Sequence, residues 1–294
     1  MIIDDPSLVE AYIGLQGILR KIGRIAIAFS GGIDSSLLLR AAVDVLKDSV
    51  IAITAKSETT PRQELADAVA FAQEFGIRHI VAETHELMIP DFVKNPANRC
   101  YICKKHRYET LKAIAGQHGF MTLADGENAE DAKDYRPGSL AARELGVRSP
   151  LREAGLIKSD IRSLSRQYGL AFWNKPALAC LASRIPHQSP ITPEKLRQID
   201  DAETFIRRLG GFELVRVRHF GDTAHIEMDP DDISRMTDTA IRNQLISFFK
   251  QIGFTHIFLD LEGYRMGNLN PPETNDRNPF FTEQGSVFKE KIYS

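Results

Sequence analysis

Two groups of residues in this 294-residue chain have types and spacings that could do chemistry. The first is Ser30-Gly31-Gly32-Ile33-Asp34-Ser35-Ser36. It follows an apolar run, Ile25-Ala26-Ile27-Ala28-Phe29, and precedes Leu37-Leu38-Leu39-Arg40-Ala41-Ala42-Val43, which has a helical pattern. A strand that breaks at two glycines and reopens as a helix leaves bare backbone N–H groups at the positive end of the helix dipole. That is an anion site. The glycines remove Cβ atoms that would hold a pyrophosphate away, and Ser30, Ser35 and Ser36 add hydroxyl donors. Asp34 would fix the loop or help to hold Mg²⁺, which prefers oxygen ligands. The second group is three cysteines: Cys100 and Cys103 in a CxxC, and Cys180, 77 residues beyond Cys103.

An odd number of cysteines in a chain without a signal peptide argues against a disulfide framework. Arg99, Lys104, Lys105 and Lys175 are basic neighbours that favour thiolates. Three thiolates suit a four-iron four-sulfur cluster with one iron left open. They also suit zinc, with His106 or His187 as the fourth ligand. A third arrangement is a Cys100–Cys103 disulfide that relays a persulfide to or from Cys180. The plain alternative is three small buried hydrophobes.

The elements that must position these groups follow from periodicity. Leu8, Val9, Tyr12, Ile13, Leu15 and Leu19 recur at helical spacing over 8–21. Strands are expected at about 24–29, 50–54, 77–82 and 121–125. Helices between them run to about Lys47 and from Pro61 to Phe75, and another follows the CxxC. Alternation of this kind implies an α/β doubly wound parallel sheet, with ligands at the carboxyl ends of its strands. Both cysteine segments are expected in loops at that end.

A domain junction is placed near Ser189-Pro190-Ile191-Thr192-Pro193. It divides a nucleotide-binding domain, 1–188, from a small α+β domain, 189–270, for substrate binding or oligomerisation, and a polar tail, 271–294. In the second domain Thr192 caps a helix from Pro193. Segments 213–219 and 224–228 form a hairpin with one wet face, a helix spans about 231–252, and a strand spans 255–260. Arg216 and Arg218 share one face of the hairpin, opposite Glu227. Arginines suit a substrate with phosphate and carboxylates.

Hydrophobic residues make up 43% and charged residues 26%, as in an ordinary globular protein. The net charge of −2 supplies no field for nucleic acid. The acidic, proline-broken start is no signal peptide, and no apolar run approaches the roughly 20 residues that span a bilayer. A cytoplasmic protein with no nucleic-acid or membrane partner is expected.

Ser30-Gly31-Gly32-Ile33-Asp34-Ser35 resembles the PP-loop, SGGxDS, of enzymes that cleave ATP to AMP and pyrophosphate. It is not a Walker A motif, since the Lys-Ser/Thr pair is missing. Four further segments extend the likeness. They are Asp125-Gly126-Glu127-Asn128 with Asp131, Leu145-Gly146-Val147-Arg148-Ser149-Pro150-Leu151, Lys175-Pro176-Ala177-Leu178-Ala179-Cys180-Leu181-Ala182-Ser183-Arg184, and Gly263-Tyr264-Arg265-Met266-Gly267. With the loop they resemble the LarE family over nearly the whole chain.

LarE proteins are ATP-dependent sulfur transferases in synthesis of the nickel-pincer nucleotide cofactor of lactate racemase. They adenylate a carboxylate of pyridinium-3,5-biscarboxylic acid mononucleotide and convert it to a thiocarboxylate. In one version a single cysteine, at the position of Cys180, surrenders its sulfur. In the other, three cysteines hold a four-iron four-sulfur cluster, and the CxxC here implies that version. The resemblance therefore implies Cys100, Cys103 and Cys180 as cluster ligands, Cys180 and Asp34 as catalytic, and ATP and Mg²⁺ as further requirements. Ser30, Gly31, Gly32, Asp34, Ser35, Ser36, Ser57, Gly126 and Arg143 are expected around the nucleotide, with Asp131 as a second Mg²⁺ ligand. Arg216, Glu227 and Arg265 are expected on the nucleotide substrate. A homo-oligomer is expected, with a sulfur-donor protein or free sulfide as sulfur source. The rival expectations are an amide-forming synthetase of the NAD or GMP synthetase kind, a tRNA thiolase, and a non-catalytic nucleotide or iron–sulfur sensor.

Overall fold

Strand β1 (Ile25–Ala28) is apolar on both faces because both faces are covered. Ile25 and Ile27 pack into one buried cluster and Ala26 into another. Its neighbour β2 (Val50–Lys56) divides in the same way, with Val50 and Ala52 on one side and Ile51 and Ile53 on the other. Such runs read as continuous hydrophobic stretches rather than alternation. With β3 (His79–Glu83) and β4 (Leu123–Ala124) they form a parallel sheet in the order β3-β2-β1-β4. The chain is the expected α/β doubly wound fold with a smaller second sheet. This computed structural model describes residues 5–131, 137–170, 173, 179–265 and 268.

Helices α1 (Pro6–Ile22), α2 (Ile33–Leu46) and α3 (Arg62–Glu74) cover one face of the sheet. In α1, Leu8, Tyr12, Leu15 and Leu19 are buried, and the Asp5 side chain caps the helix by accepting from the Ser7 and Leu8 N–H groups. After the short α4 (Pro90–Val93), helix α5 (Arg99–Gln117) covers the other face together with α6 (Pro137–Glu144). Cys100 and Cys103 therefore stand in the first turns of a helix and not in a loop, which corrects the expectation. Short α7 (Pro150–Glu153) and then α8 (Lys158–Gln167) return the chain to the α2 face.

Helix α9 (Pro193–Gly210) begins at Thr192, whose hydroxyl accepts from the Lys195 N–H. Its first half, Leu196 and Ile199, packs with Cys103, Leu181 and Ile185. Its second half, Ala202 and Ile206, packs into the core of the second sheet. That sheet pairs β5 (Val215–Phe220) antiparallel with β6 (Thr223–Met228), and β6 parallel with β7 (His256–Leu259). The helix expected over 231–252 is broken into α10 (Ile233–Met236) and α11 (Thr239–Gln251), because the Asp238 side chain caps a fresh start at Ala240 and Ile241. The hairpin has no wet face along most of β5. Arg216, Arg218 and His219 are as buried as Val215 and Val217.

Candidate active site

The turn between β1 and α2 is shaped before any ligand arrives. Gly32 is the N-cap of α2, and no side chain caps the helix, so its first N–H groups are left for an anion. Gly31 has φ 74°, and a Cβ there would stand 3.2 Å from the Glu64 carbonyl oxygen and from the Ala68 Cβ. Glycine alone meets both demands. Ser35 Oγ donates to the Gly32 carbonyl at 3.0 Å and lies 3.1 Å from Ser30 Oγ. Ser36 is fully buried and off the cavity wall.

The turn opens onto a cavity of about 400 Å³ at the carboxyl ends of β1 and β2, a volume suited to a nucleotide-sized ligand. Ser30, Gly32, Asp34 and Ser35 form one wall. Gly126, after β4, lies so close that a Cβ on it would meet the Ser35 nitrogen at 2.8 Å. Asp34 Oδ2 accepts from Lys158 Nζ at 2.5 Å. Its other oxygen, Oδ1, is buried and has no partner. Asp131 also lines the cavity and accepts from the Asn128 N–H through Oδ2 at 3.1 Å. An orphaned carboxylate oxygen in a cavity that a second carboxylate also lines fits a hard cation such as Mg²⁺. Sequence reasoning missed Lys158, because a lysine at a helix start carries no signal of its own.

The floor of the cavity is polar and bonded throughout. Asp125 accepts from the Tyr108 hydroxyl at 2.7 Å and the Ser149 hydroxyl at 2.8 Å. Burial and the neighbouring Glu127 push its carboxyl up. Glu127 accepts from Ser139, Lys104 and Arg152. Burial raises its pKa too, but Lys104 and Ser139 outweigh that and hold it below the usual range. The 145–151 segment thus supplies Ser149 to Asp125, which accounts for that motif.

Cys180 lines the same cavity as the turn. Cys103 is buried in the apolar cluster that Cys180 joins, and burial pushes its thiol up to about 12. Cys100 reaches the surface, yet protein crowds its sulfur, and that burial raises its pKa. Cys103 and Cys180 thus share one apolar cluster, while Cys100 lies a turn away on the exposed side of α5. Among the described residues no three His, Cys, Asp or Glu side chains stand together as a ready metal site. The basic neighbours do not carry the expectation of ready thiolates at Cys100 and Cys103: burial outweighs Arg99 and Lys104 at the first and Arg107 at the second, and both thiols are pushed up.

Arg107 ties the two thiol segments together. It holds Glu86 and donates to Thr59 Oγ1 at 2.7 Å and Ser57 Oγ at 3.1 Å. The Thr59 carbonyl in turn accepts from the N–H of Leu181, next to Cys180, at 2.9 Å. Ser57 thus belongs to the frame behind the cavity. On the other side, Arg184 donates to the Cys180 carbonyl at 3.2 Å and pairs with Glu203, both side chains being fully buried. Burial pushes Glu203 up, but Arg184 overcomes it and the carboxyl lies at about 2.

Arg218 donates to the Ser183 carbonyl and holds Glu227 at 2.6 Å. Arg216 stacks over the Tyr264 ring, and burial beside Arg184 lowers its pKa to about 10. Arg216 and Glu227 therefore do converge behind the Cys180 segment. Arg265 does not join them: it is exposed and pairs with Glu262. Arg143 is exposed on α6, away from the cavity wall. The motif residues Lys175–Leu178 and Met266–Gly267 lie outside the described residues.

A phosphate-shaped turn at the switch of a β3-β2-β1-β4 parallel sheet, opening on a cavity with acidic groups for a cation, defines an ATP-dependent enzyme of the PP-loop class. Residues 14–170 match the NAD synthase family, just over half of the chain. The chain belongs to that family. It is 43% identical over 256 residues to an uncharacterised protein of Synechocystis, covering 87% of this chain and 95% of that one. It is 38% identical over 259 residues to the pyridinium-3,5-bisthiocarboxylic acid mononucleotide synthase of Lactiplantibacillus plantarum, covering 87% and 92%. Likeness to the glutamine-dependent NAD(+) synthetase of Synechocystis is 30% over 146 residues, 45% of this chain and 26% of that one. Among the described residues no helix is long and apolar enough to cross a membrane.

Proposed function

We propose that this chain is an ATP-dependent sulfur transferase of the LarE kind. It adenylates a carboxylate of pyridinium-3,5-biscarboxylic acid mononucleotide and replaces the activated oxygen with sulfur, in nickel-pincer nucleotide synthesis. One observation carries the reading: Cys180 opens into the cavity that holds the PP-loop. An amide-forming synthetase has no use for a thiol there. The relative of known name, nearly the length of this chain, supports the substrate.

A carboxylate is a poor electrophile. Its oxygen attacks the α-phosphorus of ATP, the bond to the β-phosphate breaks, and pyrophosphate leaves. Bare N–H groups of α2, with Ser30 and Ser35, receive that pyrophosphate and stabilise its charge as it develops. Mg²⁺ bound at Asp34 Oδ1 and Asp131 would neutralise the phosphates. Lys158 keeps the other Asp34 oxygen fixed. Sulfur then attacks the acyl carbon, and AMP leaves with the former carboxylate oxygen. Behind Cys180 lie the pairs Arg184–Glu203, Arg207–Glu203 and Arg218–Glu227, with Arg216 beside Tyr264. Arginine forks of this kind suit the phosphate and second carboxylate of the substrate.

For the sulfur, the three thiols Cys100, Cys103 and Cys180 would be the ligands of a four-iron four-sulfur cluster, which would supply sulfide-level sulfur as the nucleophile. A second reading is favoured by a separate observation: of the three, Cys180 alone lines the cavity. In that reading the Cβ–S bond of Cys180 breaks with loss of its α-proton, leaving dehydroalanine. Anaerobic purification with iron and sulfide analysis, followed by one turnover with ATP and the biscarboxylate, decides between them. About four irons per chain, lost in Cys103→Ser, is the expected result. Iron-free protein that becomes lighter by one sulfur at Cys180 selects the second reading. Pyrophosphate released with ammonia as acceptor, and none with the biscarboxylate, overturns both.

A further inference from the structure

Helix α5 turns one face to the cavity: Lys104, Arg107, Tyr108 and Leu111 all line it, at helical spacing. Arg107 is the most firmly held of them. Its Nε pairs with Glu86, which is fully buried, and its Nη2 donates to Thr59 Oγ1 at 2.7 Å and Ser57 Oγ at 3.1 Å. Two nitrogens bonded in this way fix the plane of a rigid guanidinium. The third nitrogen, Nη1, makes no hydrogen bond among the described residues, and it is not one of the polar atoms closed off from solvent. The side chain keeps 22% exposure.

What such a group can do is narrow. Its fork is spent on Glu86 and the hydroxyls, so it cannot clamp a phosphate with two bonds. Its charge is balanced by Glu86. What it still offers the cavity is one N–H in a set direction. Thr59 places that donor beside the thiol: its hydroxyl accepts from Arg107, and its carbonyl accepts from the Leu181 N–H at 2.9 Å. One residue therefore joins the guanidinium to the turn that carries Cys180. Lys104 is the other cation on this wall, but it bonds Glu127 at 3.3 Å and lies over the Tyr108 ring.

The sulfur step needs a fixed donor at that place. As sulfur adds to the acyl carbon of the adenylate, the π pair of the C=O bond moves onto oxygen and gives a tetrahedral anion. The pair then returns, the bond to the AMP oxygen breaks, and AMP leaves. The N–H groups of the PP-loop are engaged with pyrophosphate in the first step, so the oxygen anion needs a donor of its own. We propose that Arg107 is a catalytic residue of the second step: its Nη1–H donates to the acyl oxygen as the negative charge forms there, and no proton changes hands. Aimed donors of this kind, in a site that excludes water, lower such barriers most. The inference rests on the acyl-adenylate reading above. It holds for sulfur taken from Cys180 itself and for sulfur from any other source, since the same oxygen anion forms with each.

That independence of the nucleophile supplies the test. Full-length Cys180→Ala protein, in excess over ATP and the biscarboxylate, is given hydroxylamine, which attacks the bound acyl-adenylate and leaves a hydroxamate read by mass spectrometry. The same protein carrying Arg107→Lys keeps a charge for Glu86 and has no second nitrogen to offer. It is expected to form hydroxamate about 100- to 1,000-fold more slowly, the usual effect of losing one oxyanion donor. Exchange of labelled pyrophosphate into ATP, which reports the first step, should stay within a few-fold. In the wild-type background Arg107→Lys should slow thiocarboxylate formation by a similar factor. If sulfur transfer slows while hydroxamate forms at the unsubstituted rate, Arg107 only frames the Cys180 turn and the inference is wrong. Exchange that falls as far as trapping also overturns it, because Arg107 then shapes the whole cavity. Wild type with no biscarboxylate-dependent exchange removes the adenylation reading itself, whereas normal exchange with an unaffected Arg107→Lys removes this inference alone.

Discussion

At the scale of single residues, two glycines do what no other residue could. Gly31 takes a left-handed φ under α3, and Gly126 lets the loop after β4 touch the PP-loop backbone. The Gly126 contact is with a main-chain nitrogen, which cannot move aside as a flexible side chain would. Gly126→Ala must therefore push the turn out of shape, and overpacking of this kind costs about 1–3 kcal/mol. The expected outcome is an affinity for a non-hydrolysable ATP analogue lowered about tenfold or more, measured by calorimetry, with the fold retained. Gly31, Gly32 and Ser35 were legible from their spacing. The pairing of Asp34 with Lys158 was not, because 124 residues separate the two. Lys158→Met should leave Asp34 unanchored, and the Mg²⁺ concentration needed for half-maximal binding of the analogue is expected to change severalfold. An unchanged Mg²⁺ requirement would remove Lys158 from the site.

Elements carry the next layer, and α9 shows it best. Its Leu196 and Ile199 pack beneath the cysteine segments, and its Ala202 and Ile206 belong to the second sheet. Between them Asp200 receives Arg62 from α3 and Glu203 receives Arg184. The helix was readable from Thr192-Pro193-Glu194 and its period. Its double duty was not, since periodicity shows a buried face and not what covers it. Ile199→Ala should cost about 2–5 kcal/mol, seen as a lower denaturant midpoint.

Glu203 gives a pH test of the same helix. A carboxyl with an ordinary value of 4.5 and a folded value of about 2 binds its proton more readily in the unfolded chain. Its stabilisation is complete above about pH 4.5 and is lost as pH falls toward 2, up to about 3 kcal/mol. Glu203→Gln is expected to flatten that acid limb, by denaturant unfolding at stepped pH. It should also destabilise the protein at neutral pH by leaving Arg184 buried and unpaired. The start of α5 was misread for a related reason. Its first turns carry Arg99, Lys104, Lys105 and His106, so no apolar stripe announces a helix there. Of these, Lys104 turns to the cavity and bonds Glu127, Lys105 pairs with Glu144 at the surface, and Arg99 holds Asn95.

Over the whole molecule, the decisive fact is that a doubly wound sheet brings its post-strand segments to one end. Two cysteine segments far apart in sequence could be expected there from the fold class alone. That Cys180 and not Cys103 would reach the cavity could not, because it depends on Arg184 and Thr59 fixing the 180 turn from either side. The three thiols consequently differ in access: Cys180 opens to the nucleotide, Cys103 is buried, and Cys100 faces outward. An occupied cavity should shield the first and leave the last untouched. Metal-free, reduced protein treated with iodoacetamide is expected to label Cys180 readily from the cavity, Cys100 more slowly because its crowded sulfur has a raised pKa, and Cys103 slowest, since burial keeps that thiol protonated and inaccessible. Addition of Mg²⁺ and a non-hydrolysable ATP analogue should slow labelling of Cys180 about tenfold or more, with Cys100 unchanged, read by peptide mass spectrometry. A Gly126→Ala variant should lose that protection at the same analogue concentration while labelling normally without it. Equal rates at Cys180 with and without the analogue would mean that sulfur and nucleotide occupy separate spaces, and the acyl-adenylate would then have no thiol within reach.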